Sequence, residues 1–193
     1  AYHDPLTGLP NRRLLMDRLE QSIARALRYQ ARIGIILVDV DDFKRINDLA
    51  GHGTGDRILV EVADRLRHGV RACDTVARLE GDAFAILLPE LESAGAAEPV
   101  AAKILSLLHQ PLAQPSPRSA LSASLGIATF PDDAENGDGL LRMADARMLR
   151  ATRRGGHRVG RIAVNVVFVV CYVFHSILRS VGAGCRHFFF KDF

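Results

Sequence analysis

Residues 33–40, Ile-Gly-Ile-Ile-Leu-Val-Asp-Val, form a short, continuous apolar run with β-branched side chains. This is the mark of a strand buried on both faces, so the rest of the chain has to supply layers that cover it. The flanking patterns supply them. Leu14, Leu15, Leu19, Ile23, Ala26 and Leu27 recur at helical spacing, with Asn11 as their N-cap. A short helix from Asp42 to Ala50 is stopped by the glycines of GHGTGD (51–56), and Ile58, Leu59, Val62, Ala63 and Leu66 define a second amphipathic helix. TVARL (75–79) and AFAILL (83–88), joined through Gly81, read as a β-hairpin. A helix near 94–109 ended by Pro111, a strand at 121–129, a helix near 138–152 and a last strand at 159–164 complete the order. The expected fold class is α/β (an α+β sandwich), with helices flanking a mixed central β-sheet.

The chain is 193 residues long, 48% apolar and 24% charged, which suits one compact domain with an appendage and excludes a disordered or low-complexity polymer. The net charge of +3 invites a nucleic-acid reading. Residues 162–193 hold Arg179, Arg186 and Lys191 against Asp192, leaving 22 basic and 21 acidic side chains for residues 1–161. No basic patch stands out, so nucleic acid is not an expected partner. Three scattered cysteines, Cys73, Cys171 and Cys185, make neither a disulfide framework nor a zinc site and suit a reducing, cytoplasmic compartment.

The boundary falls between residues 161 and 162. The last 32 residues carry seven of the twelve aromatics, and IAVNVVFVVCYVFHSIL (162–178) is almost wholly apolar. As a helix this stretch reaches roughly 25 Å, short of the ~30 Å hydrocarbon core. Three readings stand: a last strand running into a tail, a marginal membrane segment, and an extension foreign to the domain. A membrane is a partner only if that tail inserts.

Two carboxylates dominate the candidate chemistry. Asp39 ends the buried strand, where an ionised side chain is costly unless it is paired or metal-bound. Asp82 sits at the hairpin exit. Hard oxygen donors brought from separate elements suit Mg²⁺, which takes one or two carboxylates and completes its shell with phosphate and water. The alternative is that both are ordinary strand-end or capping aspartates. Lys44 is a possible phosphate contact or a solvated helix residue. Asn47 and Asp56 are either base-reading groups or turn formers, and His52 between glycines reads as a loop residue.

Six segments then occur together and in order: HDPLTGLPNRR (3–13), DVDDFKRIND (39–48), GHGTGD (51–56), LEGDAF (79–84), SASLGIA (122–128) and ADARMLRATRRGG (144–156). They resemble the diguanylate cyclase, or GGDEF, domain over about residues 2–161. The resemblance implies a fold similar to nucleotidyl cyclase and polymerase palm domains. It also implies condensation of two GTP into cyclic di-GMP by a homodimer, with two Mg²⁺ ions per active site. By the same resemblance, Asp39 and the Val40 carbonyl bind metal and Lys44 contacts phosphate. Asn47 and Asp56 recognise guanine, while Asp82 binds metal and helps deprotonate the attacking hydroxyl. Arg71-Ala72-Cys73-Asp74 matches the inhibitory product site, where a guanidinium and a carboxylate each grip a guanine edge. Without that match, Arg71 and Asp74 read as a surface ion pair.

The departures bear on activity. The signature stands as Glu80-Gly81-Asp82-Ala83-Phe84. Glu80 brings bulk and charge where the family has glycine, repelling a phosphate ~4 Å away by about 1 kcal/mol in water and ~4 at an effective dielectric of 20. It is also a poor residue for a tight turn that favours positive φ. Ala83 removes the fourth-position acid. Thr152 and Gly156 stand where the family has Lys and Arg for the triphosphate, with Arg153 and Arg154 nearby. The expected function is a degenerate, regulatory cyclic di-GMP signalling domain that binds cyclic di-GMP or GTP with little turnover. The alternatives are an active cyclase and a structural dimerisation module. The opening segment and PVAAKILSLLHQPL resemble domains fused to a downstream EAL phosphodiesterase, which makes an EAL domain a possible partner in the parent protein.

Overall fold

The computed structural model describes residues 1–113, 120–153 and 158–160. The readings of 161–193, the tail included, lie outside the described residues. The elements follow in order: α1 (Arg12–Tyr29), β1 (Arg32–Val40), α2 (Phe43–Ala50), α3 (His52–Gly69), β2 (Thr75–Glu80), β3 (Ala83–Leu91), α4 (Ala97–Leu108), β4 (Ala123–Phe130), α5 (Gly137–Arg153) and β5 (Arg158–Gly160). The five strands form one sheet in the order β2-β3-β1-β4-β5. All neighbours are antiparallel except β4 and β5, so the sheet is mixed, as expected.

The apolar run 33–40 lies at the centre, and its alternation divides the core. Ile36, Val38 and Val40 join Phe84, Ile86, Leu125 and Ile127 against α2, α3 and α4. Ile33, Ile35 and Leu37 join Ala85, Ala128 and Phe130 against α1 and α5. A central strand with apolar residues of both parities therefore has a helical layer to bury each set. Asn11 caps α1 as its sequence position suggests, accepting the Leu14 N–H at 3.2 Å.

One boundary differs from expectation. The glycines of 51–56 do not form a loop. Gly51 alone, at φ +81°, separates α2 from α3, and α3 already begins at His52. A single residue with positive φ suffices to end a helix, and three helical turns of burial from Ile58 onward stabilise the glycine-containing first turn. Gly126 has a packing role: a Cβ there would collide with the Ala144 carbonyl, so its absence lets α5 lie directly on β4. That contact carries the next residue, Asp145, towards the end of β1.

Candidate functional site

The strand register brings the two singled-out carboxylates together. Asp39 lies directly opposite Ala83 on β3, which places it next to Asp82 in the β2–β3 turn. Burial, followed by the charges of Asp82, Asp41 and Asp145, pushes the Asp39 carboxyl up to about 6. Burial also raises Asp82, opposed by a bond from its own backbone N–H and by the Arg78 charge. The charges that act on Asp39 are all negative, and Arg78 offsets only Asp82, so a hard cation would supply the countercharge Asp39 lacks. Among the described residues, no three His, Cys, Asp or Glu side chains converge closely enough to hold a metal by themselves. Two carboxylates with the last strand residue, Val40, fit a Mg²⁺ shell that needs phosphate and water to complete it.

Asp41 was not singled out from the sequence, yet it is buried and accepts the Ser124 hydroxyl at 2.7 Å. Its place in the acidic run 39–42 was the available signal. The bond anchors the chain just beyond β1 to β4. Arg78 was missed as well. Its guanidinium donates twice to the Gly81 carbonyl, at 3.0 and 2.7 Å, and to both oxygens of Asp4. Asp4 in turn accepts the N–H and hydroxyl of Thr7, each at 2.7 Å. The opening loop and the signature turn are thus held by one guanidinium.

The turn corrects an expectation about Glu80. Among the described residues only Gly81 of this turn takes a positive φ, +58°, while Glu80 remains the last residue of β2 and is exposed. The glycine at the second signature position meets the conformational demand, so Glu80 imposes no backbone strain there.

Lys44 is exposed on α2. Asn47, one turn later, is half-buried, and its Oδ1 is buried without a hydrogen-bond partner among the described residues. Gly55 explains how α3 reaches it: a Cβ at that position would collide with Asn47 Oδ1 and press on Phe43. Asp56 follows on the exposed side of α3, facing a groove of about 610 Å³ lined also by Leu6, Glu61 and Arg65. Arg71 and Asp74 lie in the exposed turn between α3 and β2. They do not form the surface ion pair that their spacing suggests; Asp74 Oδ2 accepts the Arg71 backbone N–H at 2.8 Å. At the far end of α5, the Thr152 hydroxyl donates to the Met148 carbonyl at 3.2 Å. Gly156 and Arg154 lie outside the described residues.

Comparison with known proteins gives this arrangement a context. The family described as "Diguanylate cyclase, GGDEF domain" matches residues 1–158. MucR of Pseudomonas aeruginosa, named a bifunctional diguanylate cyclase/cyclic di-GMP phosphodiesterase, is 46% identical over 155 residues, covering 80% of this chain and 22% of MucR. The chain spans between about a fifth and two fifths of the length of such curated relatives. The crystal structure of the GGDEF domain of TpbB from P. aeruginosa superposes with a TM-score of 0.77 at 34% identity, covering 82% of this chain and 99% of that one. The GGDEF domain of DgcB from Caulobacter crescentus, solved in complex with c-di-GMP, superposes with a TM-score of 0.75 at 28% identity, covering 83% and 95%.

Proposed function

The chain belongs to the GGDEF domain family, and from that premise we propose that it is a regulatory cyclic di-GMP signalling domain that binds GTP or cyclic di-GMP and turns over little. The observation that carries this reading is the contrast between the two ends of the site. At the sheet end, Asp39 and Asp82 are adjacent and Gly81 keeps the turn tight. On α5, the position that would grip the triphosphate holds Thr152, whose hydroxyl is engaged by its own helix. A neutral side chain turned back on the backbone supplies no charge to phosphate.

Asp39, Asp82 and the Val40 carbonyl would hold Mg²⁺, which when bound neutralises and orients phosphate oxygens. Lys44 adds a point charge from α2. Asn47 would read a base edge with its side-chain amide, and Asp56 would offer a carboxylate acceptor. Asp82 would take the proton from a ribose hydroxyl. In the turn before β2, Arg71 and Asp74 form the product-site candidate. A second reading, an active cyclase, is favoured by the retained Asp39–Asp82 pair. The cytoplasm, a homodimer for any turnover and an EAL partner in the parent protein belong to the same proposal; the bifunctional name of MucR supports the last.

Turnover decides between the readings. The full chain, freed of nucleotide and incubated with Mg²⁺ and excess GTP, is expected to bind GTP and form little cyclic di-GMP or pyrophosphate. Product that disappears in Asp39→Ala would make the domain a cyclase. Arg71→Ala is expected to weaken cyclic di-GMP binding at least tenfold, on the order of the 1.4 kcal/mol that a charge-assisted contact supplies; unchanged affinity would remove the product-site assignment.

A further inference from the structure

We infer that Glu80 replaces the acid missing at Ala83, returning the lost carboxylate to the metal-facing side of the hairpin from the opposite strand. The inference rests on the nucleotide–metal reading of Asp39 and Asp82 given above. Its basis is the register. Glu80 on β2 lies directly opposite Ala83 on β3, and Ala83 lies directly opposite Asp39 on β1. Directly opposed residues in an antiparallel sheet project to the same face, so Glu80, Ala83 and Asp39 form one row across three strands.

A β-bulge creates this alignment. Arg78 pairs with Phe84 and Glu80 with Ala83, which leaves Leu79 as an extra residue. Without that extra residue Leu79 would oppose Ala83, and Glu80 would fall on the other face, towards α2 and α4. Leu79 instead packs with the cluster under α1 and α5, and Glu80 is re-aimed to the face that carries Asp39.

In the metal-free chain Glu80 does not converge with Asp39 and Asp82 and is not among the charges that act on either, so it would reach a shared ion by rotation of its own side chain. Ala83 contributes only a methyl group between Glu80 and Asp39. Two strand spacings, about 10 Å, separate their backbones, a gap that two carboxylate side chains and metal–oxygen bonds of ~2.1 Å can close. Glu80 is exposed, and its carboxylate makes no hydrogen bond or ion pair among the described residues. The hairpin therefore keeps two acids, Glu80 and Asp82, although the fourth signature position has lost its own. This transposition opposes the reading of Glu80 as a lesion that repels phosphate, and the two readings predict opposite signs.

The test uses the full chain and Mn²⁺ as the probe, with free Mn²⁺ followed by electron paramagnetic resonance in the presence of a non-hydrolysable GTP analogue. Glu80→Gly and Glu80→Gln are each expected to weaken Mn²⁺ binding about tenfold; the second keeps the bulk and removes only the charge. Combining Glu80→Gly with Ala83→Glu is expected to restore affinity to within about threefold. Unchanged or tighter Mn²⁺ binding in both single variants, with unaltered melting temperatures, would overturn the transposition alone. Absence of Mn²⁺ binding by the unaltered chain would overturn the reading of the site and this inference with it.

Discussion

Asp39 is held where its charge is unfavourable to the fold. It is half-buried at the end of a central strand, with Asp82, Asp41 and Asp145 all near enough to repel it. Such residues persist where they serve a ligand, and the metal-free protein bears the cost. Replacing Asp39 by Asn should therefore raise the stability of the metal-free chain, by on the order of 1 kcal/mol after allowance for solvent screening. The same change should abolish Mn²⁺-dependent GTP binding. Melting curves with and without Mn²⁺ and nucleotide check both halves, and a variant less stable than the parent would contradict the argument. Gly55 makes a complementary case. An alanine in a helix usually gains stability over glycine by ~1 kcal/mol, but here its Cβ meets the Asn47 side chain. Gly55→Ala should instead cost about 1–3 kcal/mol and raise the GTP dissociation constant at least tenfold, readable by calorimetry.

Among the elements, α5 is fastened to β4 by charge as well as by apolar packing. Arg147 is 8% exposed and donates to both oxygens of Asp133, at 2.7 Å each, and to the Ile127 carbonyl. Asp133 also accepts the Thr129 N–H and hydroxyl. Burial alone would raise the Asp133 carboxyl, but these bonds and the Arg147 charge outweigh it and hold it at about 2. A carboxyl depressed in the folded state stabilises the fold above its unfolded value near 4, and that stability is lost as pH falls towards 2. Denaturant titrations from pH 7 to pH 3 should show an acid loss of roughly 1 kcal/mol from this group, beginning below pH 4, with the rest of its contribution lost only as pH falls through about 2. Asp133→Asn should be less stable at pH 7 and should lack this share of the acid loss. Because α5 also carries Asp145 over the strand end, loosening this clamp should alter the electrostatics of Asp39 without touching it.

Among the described residues, apolar side chains cover both faces of the sheet from elements that precede 161, with β1 at the centre. The domain boundary proposed at 161/162 therefore predicts that residues 1–161 fold alone with the melting temperature of the full chain to within a few degrees; a large fall would assign 162–193 to the fold. Periodicity was enough to read this architecture from the sequence. Burial on two faces forces a pattern of apolar residues that local spacing displays, and Asn11, the strand 33–40 and the hairpin through Gly81 all stand where that pattern puts them. The resemblance likewise named Asp39, Asp82, Asn47 and Asp56 one by one. What the sequence left open depends on contacts between segments far apart in the chain. Arg78 holds the Gly81 carbonyl and Asp4 at once, Ser124 anchors Asp41, and Gly55 is required by Asn47. None of these leaves a periodic trace, because each depends on how separate elements meet. The same holds for Glu80. One extra residue in β2 decides which face a strand-end side chain occupies, and a bulge is visible only once the partner strand is in register.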